Sequence, residues 1–266
     1  MENSKVTVPF VKNSKGHKKI VMVTAYDYPS AYLADKAGID IILVGDSLAN
    51  VVLGLKNTIP VTVEEMLHHT KAARRGVERA LLVTDMPFLS FHISKEETIK
   101  NAGLFLKEGG AEAVKIEGGK KRIDVIKALV DSEIPVMGHL GLTPQSFHLL
   151  GGYKIKKEEE IDEDLFLEEA FYLEQAGIFS LVLECVPLKL AKKVQEKLKI
   201  PTIGIGSGPY CDGQVLVFHD LIGFLPRKKY KFVREYAKVG KIILKALKRY
   251  KKDVEDGSFP SEEEAF

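Results

Sequence analysis

The sequence is poor in the features that mark secreted, membrane and nucleic-acid-binding proteins. It has only two cysteines, so no disulfide framework holds the fold, and a reducing compartment is expected. No apolar run approaches the roughly 18 residues of a membrane span, and the lysine-rich N-terminus lacks the apolar core of a secretory signal. The net charge of only +2 argues against a nucleic-acid binder that relies on phosphate contacts. These absences predict a cytoplasmic protein without a membrane or nucleic-acid partner.

What the sequence does contain is a recurring pattern in which an apolar run ends at an acid. The run IILV at 41–44 leads to Asp46, and three later apolar runs end at Asp85, Glu117 and Glu184. Runs without polar alternation are typical of strands buried on both faces, as in a parallel sheet. Each acid then marks the point where a strand reaches the surface.

Eight strands, most of them followed by a helix, are predicted along the chain. They are placed at residues 20–26, 41–47, 80–85, 113–117, 134–139, 179–184, 201–205 and 214–218. Alternation at this count predicts a closed (β/α)8 TIM barrel, and 266 residues suit a fold that needs about 250. A doubly wound sheet is the alternative, disfavoured because no glycine-rich phosphate turn follows the first strand. We therefore predict a single α/β barrel domain over residues 1–266, with a covering segment at 1–19.

Local signals place several boundaries between the strands. Thr62 followed by Glu65 is a capping-box pattern and predicts a helix start. Residues 27–30 have turn chemistry, residues 47–60 are predicted to form a loop, and residues 229–251 a long basic helix.

Three acids end consecutive predicted strands, which are neighbours in a barrel. Active sites of this fold lie at the carboxyl ends of the strands, so Asp46, Asp85 and Glu117 are expected to converge there. Two carboxylates about 4 Å apart repel by roughly 4 kcal/mol at an effective dielectric constant of about 20. A ligand set of oxygens favours a hard cation, and Mg²⁺ before Zn²⁺. Three separate caps or ion pairs are the alternative interpretation.

Three further polar residues belong to the same strand ends. Lys115 lies two residues before Glu117 and therefore on the same face of the strand; it either binds an anionic substrate or forms a structural ion pair. Glu184 ends the sixth strand and suits a general base, or else it provides a charge at a helix start. His139 ends the fifth strand and either donates into the barrel mouth or is a packed core histidine.

Ten ordered segments together resemble a known family, that of ketopantoate hydroxymethyltransferase, within the phosphoenolpyruvate mutase/isocitrate lyase type of barrel. The segments are TAYD (24–27), VGDSL (44–48), PVT (60–62), DMPF (85–88), VKIEGG (114–119), GHLGLTPQ (138–145), GGYK (151–154), LECVP (183–187), IGIG (203–206) and CDGQ (211–214).

The resemblance implies an activity, cofactors and partners. A hydroxymethyl group would pass from 5,10-methylenetetrahydrofolate to 3-methyl-2-oxobutanoate (α-ketoisovalerate), giving 2-dehydropantoate (ketopantoate) through an enolate that Mg²⁺ stabilises. This is the first committed step of pantothenate biosynthesis. The family is cytoplasmic and forms large homo-oligomers, often decamers.

The resemblance also implies roles for individual residues. Asp46, Asp85 and Glu117 would bind Mg²⁺, and Glu184 would be the proton acceptor. The keto acid would be held by Asp46, Asp85, Ser47 and Lys115.

Two other functions remain open from the sequence. A Mg²⁺-dependent carbon–carbon lyase on the same scaffold would use the same acids, but it often has a reactive cysteine in a mobile loop, and neither Cys185 nor Cys211 lies in such a loop. A barrel that binds a keto acid without catalysis would not need four acids at strand ends.

Overall fold

The structure is a computed structural model that describes residues 4–155, 157–225 and 230–266. The chain divides into two compact units, one of residues 1–217 and one of residues 218–266. The sheet belongs to the first unit, and helices are the regular structure described in the second. The expectation of a single domain over residues 1–266 stays a prediction.

Eight parallel strands form a closed sheet in the first unit. Each strand pairs with its neighbours in chain order and the last pairs with the first, so the predicted (β/α)8 barrel is confirmed. The strands are β1 (Ile20–Thr24), β2 (Ile41–Val44), β3 (Leu81–Asp85), β4 (Ala113–Glu117), β5 (Val136–Gly141), β6 (Ser180–Glu184), β7 (Thr202–Ile205) and β8 (Gly213–Leu216).

Helices fill most of the connections between the strands. They are α1 (Val8–Asn13), α2 (Tyr28–Lys36), α3 (Leu48–Val51), α4 (Val63–Arg74), α5 (Lys95–Lys107), α6 (Ile123–Asp131), α7 (Phe147–Leu150), α8 (Glu163–Gln175) and α9 (Leu188–Lys197). The capping box predicted before α4 is present: Glu65 N donates to Thr62 Oγ1 at 3.1 Å and Thr62 N donates to Glu65 Oε2 at 2.8 Å.

Alternation along the strands decides where the barrel core lies. Successive side chains of a strand point to opposite faces, so every second residue points into the barrel. Ile41 and Leu43 of β2, together with Leu81 and Val83 of β3, belong to one buried apolar cluster that draws alternate residues from strands around the barrel. The residues between them, such as Ile42, are also buried but face the helices. The strands are therefore apolar on both faces, as the sequence indicated.

The N-terminal segment closes the amino end of the barrel. Val6 and Val11 are fully buried in the interior apolar cluster, and Phe10 packs against it. Val6 N donates to the carbonyl oxygen of Arg79, just before β3. The segment thus covers the strand starts, which matches the covering segment expected at residues 1–19 over its described part.

Asp212, directly before β8, forms hydrogen bonds with three other segments at this amino end of the barrel. Its Oδ2 accepts hydrogen bonds from Lys15 Nζ (2.9 Å) and from Thr202 N (2.9 Å), and its Oδ1 accepts from Gln195 Nε2 (2.9 Å). Burial alone would raise the pKa of Asp212, but these hydrogen bonds outweigh it, so the pKa is lowered. Asp212 is therefore an acid whose negative charge the fold stabilises.

Two predicted boundaries are wrong at the start of the chain. β1 ends at Thr24 rather than at residue 26, and the turn expected at 27–30 is the beginning of α2. Asp27 Oδ1 accepts a hydrogen bond from Ser30 N at 2.8 Å, which is the geometry of a helix cap. Pro29 is tolerated in the first turn of α2 because a backbone N–H at that position would have no acceptor within the helix.

The loop expected at residues 47–60 is also partly wrong, because it contains the four-residue helix α3. Asn50 Nδ2 donates to the carbonyl oxygen of Leu55 at 2.9 Å and thereby folds the following residues back on this helix.

The second unit contains α10 (Phe218–Leu221) and α11 (Val239–Glu255). The long basic helix predicted at 229–251 therefore begins later, at Val239; residue 229 itself lies outside the described residues. Tyr236 N donates to the carbonyl oxygen of Leu221, so residues just before α11 bond to the preceding helix. Over the described ranges, no helix combines the length and apolar character required to cross a bilayer.

Replacing Asp212 by asparagine is expected to lower the free energy of unfolding by about 3 kcal/mol at pH 7, because it leaves Lys15 without its buried partner. The folded-state pKa of Asp212 is lowered, so its contribution is fully present above the unfolded value of about 3.9 and is lost as pH falls through the folded value. Urea unfolding of both proteins at pH 7, 5 and 3.5 should show the difference narrowing only at the lowest pH.

Glu196→Gln is the matched control, because among the residues that the structure describes this exposed acid pairs only with Lys192, on its own helix, at 3.7 Å. It should change stability by less than about 0.5 kcal/mol. A difference for Asp212→Asn that grew as pH fell would contradict the assignment.

Candidate active site at the carboxyl end of the barrel

The same alternation of side chains that fills the barrel with apolar residues also points several charged residues into its carboxyl end. Asp85 continues the inward series of β3, Lys115 and Glu117 continue that of β4, His139 follows Met137 on β5, and Glu184 follows Val182 on β6. These five charged or titratable residues stand at the carboxyl end of the same sheet. The structure therefore brings these side chains together at one end of the barrel.

Lys115 is the positive centre of this group. It is 5% exposed, and its Nζ lies 3.0 Å from Oδ1 of Asp85, which is 3% exposed. Burial alone would lower the pKa of the Lys115 ammonium, but attraction by Asp85, Glu117 and Asp46 outweighs it and the pKa is raised. Lys115 therefore stays charged and offsets part of the negative charge around it.

The negative charge exceeds what one ammonium can balance. Burial, followed by repulsion from Asp85, raises the pKa of Asp46 to about 7. Burial, followed by repulsion from Asp46, raises the pKa of Glu117 well above its usual range. Near neutral pH, part of this group binds protons, and it would lose them to a cation placed among the carboxylates.

Gln145 joins the ends of three strands and was not predicted as a site residue. Its Nε2 donates to Asp46 Oδ2 and to the carbonyl oxygen of Met86, both at 2.9 Å, and its backbone N donates to Glu117 Oε2 at 3.1 Å. The only sequence signal for it was its position in the GHLGLTPQ segment.

Ser47 also lies within this group, through a partner that the sequence analysis missed. Ser47 Oγ and the Tyr26 hydroxyl are 2.9 Å apart, and Asp46 N donates to Asp85 Oδ2 at 3.0 Å. A Cβ placed on Gly45 would lie 2.8 Å from Ser47 Oγ and 3.4 Å from Asp85 Oδ2. Glycine at this position therefore lets the end of β2 approach that of β3.

His139 connects the lysine to the acid on β6. Burial and the charge of Lys115 lower the pKa of His139 well below its usual range, so the ring is neutral. Lys115 Nζ can only donate, and it lies 3.3 Å from His139 Nδ1, so Nδ1 accepts and the ring proton is on Nε2. Nε2 lies 3.2 Å from Glu184 Oε2, so the neutral ring stands between Lys115 and the acid on β6.

Glu184 has the properties of a base that works near neutral pH. Burial raises the pKa of Glu184 to about 7, and Lys115 partly opposes this rise. A carboxylate of ordinary pKa would be a weaker base, whereas one with a pKa near the working pH is well matched to proton transfer.

Neither Cys185 nor the glycine-containing loop after β7 has the features of a catalytic group. Burial, followed by the charge of Glu184, raises the pKa of the Cys185 thiol to about 12, so it is protonated and unreactive. Ser207 Oγ donates to the carbonyl oxygen of Leu183 at 2.7 Å and accepts from Val186 N at 3.0 Å. Both bonds brace the end of β6, as expected for a tight structural turn.

A metal-binding arrangement is not preformed by protein groups alone. Within residues 4–155, 157–225 and 230–266, no group of three His, Cys, Asp or Glu side chains is already positioned to hold an ion. The donor set nevertheless suits a hard cation, because Asp46, Asp85 and Glu117 are buried, and Asp85 Oδ1 accepts no well-directed hydrogen bond from any described residue. The raised pKa values of Asp46 and Glu117 indicate the same unmet need for positive charge.

A sequence profile described as ketopantoate hydroxymethyltransferase matches residues 5–262, nearly the whole chain. The chain belongs to the ketopantoate hydroxymethyltransferase family. A relative from Thermosipho melanesiensis, named 3-methyl-2-oxobutanoate hydroxymethyltransferase, is 56% identical over 252 residues, which cover 95% of each chain. A relative of the same name from Syntrophomonas wolfei subsp. wolfei is 53% identical over 264 residues, covering 99% of this chain and 96% of the relative.

Solved structures of other barrels share this fold. Phosphoenolpyruvate phosphomutase from Streptomyces platensis subsp. rosaceus matches with a TM-score of 0.62 at 14% identity, covering 94% of this chain and 88% of that one. A 2,3-dimethylmalate lyase, described as a member of the PEP mutase/isocitrate lyase superfamily, matches with a TM-score of 0.61 at 16% identity, covering 97% and 90%. At these identities the likeness supports the fold alone. The resemblance stated from the motifs is confirmed by the family match.

The thiol of Cys185 is expected to resist alkylation in the folded protein. With a pKa of about 12, its thiolate fraction at pH 8 makes it on the order of 1000-fold slower than an unperturbed thiol. Mass spectrometry after timed exposure to iodoacetamide measures this rate, and the urea-unfolded chain, in which both cysteines should react, is the control. Labelling of native Cys185 at the rate of a free thiol would contradict the prediction and favour the lyase alternative.

Proposed function

We propose that this chain transfers a hydroxymethyl group from 5,10-methylenetetrahydrofolate to 3-methyl-2-oxobutanoate, giving 2-dehydropantoate. The observation that carries the proposal is the family match over nearly the whole chain, joined to a barrel mouth in which a base-like Glu184 faces a lysine and three further acids. The reaction needs these parts, because the carbon next to the keto group of the substrate must lose a proton before it can attack the one-carbon unit.

The residues present fit a Mg²⁺ ion, which would be held by Asp46, Asp85 and Glu117. The three buried carboxylates are hard oxygen ligands, and the raised pKa values of Asp46 and Glu117 reflect negative charge without a sufficient counter-charge. When bound, the ion supplies positive charge that makes the proton at C3 of the keto acid more acidic.

The chain's own residues account for binding and proton transfer. Lys115 offsets the charge of the substrate carboxylate, and Ser47, held by Tyr26, offers a hydroxyl beside Asp46 and Asp85. Glu184 accepts the C3 proton, and the neutral ring of His139 lies beside it, with Nε2 3.2 Å from Oε2. Removal of this proton leaves an enolate whose C3 forms a bond to the one-carbon unit. Both bonds from that carbon to the folate nitrogens break, water supplies the hydroxyl oxygen, and the two nitrogens of the departing tetrahydrofolate take up one proton from this water and the one removed from C3.

The two competing functions account for less of the site. A lyase that depends on a reactive cysteine is poorly served by Cys185, whose thiol has a pKa of about 12. A barrel that only binds a keto acid gains nothing from a Glu184 tuned to a pKa of about 7. A cytoplasmic location and assembly into a large homo-oligomer, a decamer by family resemblance, complete the proposal.

Exchange of the C3 proton of 3-methyl-2-oxobutanoate into deuterium oxide, followed by NMR without folate, tests substrate and base together. The wild-type chain with Mg²⁺ should exchange this proton at a rate that rises with pH to a plateau, half-maximal near pH 7, because Glu184 must be ionised and its pKa is raised to about 7. Glu184→Gln should slow exchange by about 10²–10⁴-fold while Mg²⁺ binding, measured by calorimetry, is unchanged.

Glu168→Gln serves as the control, since this acid pairs with Lys120 on the outer helices at 3.5 Å. It should exchange at the wild-type rate. The base assignment is wrong if Glu184→Gln also exchanges at that rate.

Replacing Asp85 by alanine is expected to abolish Mg²⁺-dependent exchange and to weaken Mg²⁺ binding by more than about 100-fold, the upper range for groups that only support ligands. Titration calorimetry with Mg²⁺ measures the affinity, and Asp85→Asn, which keeps the shape of the side chain, checks that the loss does not come from a cavity. Wild-type Mg²⁺ affinity in both variants would rule out Asp85 as a ligand.

A further inference from the structure

Gln145 lies in the site, although the chemistry of the reaction does not by itself require a glutamine there. We propose that its side chain is a positioning residue that fixes the Asp46 carboxylate in the orientation needed for Mg²⁺ binding, while its backbone N–H fixes Glu117. This inference rests on the proposed function, because it assigns a role within the same site.

The orientation of the Gln145 amide is determined by its neighbours. The Nε2 group lies 2.9 Å from Asp46 Oδ2 and 2.9 Å from the carbonyl oxygen of Met86, and both of these atoms only accept hydrogen bonds when Asp46 is ionised. A flipped amide would place its oxygen against two acceptors. The two N–H bonds of the amide are therefore committed, one to a carboxylate and one to the backbone directly after Asp85.

This arrangement holds a carboxylate that would otherwise turn away from its neighbours. The backbone N–H of Asp46 donates to Asp85 Oδ2 at 3.0 Å, so the end of β2 lies against the Asp85 carboxylate, and Gln145 Nε2 donates to Asp46 Oδ2 at 2.9 Å. An amide supplies this donor without adding a charge, so it steadies Asp46 without competing with a cation for the site. The ammonium of a lysine in the same place would itself neutralise the carboxylates and would repel a cation.

The side-chain oxygen of Gln145 shows that stability alone does not explain this residue. Gln145 Oε1 is buried and, within the described part of the chain, has no hydrogen-bond partner. A buried acceptor without a donor destabilises the folded chain. The Gln145 side chain thus leaves its buried oxygen without a donor, whereas both of its N–H groups donate to atoms at the strand ends.

A structural glutamine elsewhere in the barrel provides a matched comparison. Gln195 Nε2 donates to Asp212 Oδ1 at 2.9 Å, the same kind of amide–carboxylate bond at the same distance, but at the amino end of the barrel. Gln145→Met and Gln195→Met each remove one such bond and keep the length of the side chain. A purely structural role predicts the same kind of effect for both variants.

The experiment measures the melting temperature, the Mg²⁺ affinity by titration calorimetry and the rate of C3 exchange for the wild type and both variants. Gln145→Met should bind Mg²⁺ about 10–100-fold more weakly, the range found when groups that orient metal ligands are removed. Gln195→Met should lower the melting temperature and leave Mg²⁺ affinity and exchange unchanged.

Wild-type Mg²⁺ affinity in Gln145→Met would overturn the inference. If Gln145→Met does not fold, Gln145→Asn, one methylene shorter, gives the same comparison. Failure of the proposed function is read separately, because the wild-type chain would then show no C3 exchange and no product whatever the variants do. Mg²⁺ affinity is compared among the variants without reference to turnover.

Discussion

A surplus of buried negative charge around a single ammonium is the constraint on which this site depends. At an effective dielectric constant of about 20, two unit charges about 4 Å apart interact by roughly 4 kcal/mol, so the placement of each carboxylate matters. Lys115 contacts Asp85 directly and is attracted by Asp46 and Glu117, yet the pKa values of Asp46 and Glu117 remain raised. Under the proposed function, a cation and an anionic keto acid that enter together would make this arrangement favourable.

Most of this arrangement follows from rules that act within one strand, which is why the sequence predicted it. A strand buried on both faces is recognisable as an apolar run, and the residue where the run ends must lie at the edge of the sheet. The alternation of side chains then places Lys115 and Glu117 on one face, and the pairing of consecutive strands brings β4 beside β3. Asp85, Lys115 and Glu117 could therefore be assigned to one region before any contact was known.

The remaining features depend on contacts between distant segments, which local patterns do not contain. Gln145 is separated from Asp46 by 99 positions, and Tyr26 from Ser47 by 21, so neither bond leaves a local trace in the sequence. The helix start at Asp27 was missed for another reason: Asp, Pro and Ser are typical of turns and of helix caps alike, and only the bond from Ser30 N to Asp27 separates the two.

The two ends of the barrel use carboxylates in opposite ways, and this contrast bears on whether the strand-end acids are merely structural. At the amino end, hydrogen bonds from Thr202, Lys15 and Gln195 lower the pKa of Asp212, so its ionised form stabilises the fold. At the carboxyl end, burial and mutual repulsion raise the pKa of Asp46, so its ionised form costs stability near neutral pH. A structural ion pair or helix cap would resemble Asp212. Asp46 shows the opposite shift, and this contrast supports the proposed cation-binding role of Asp46 over a structural one.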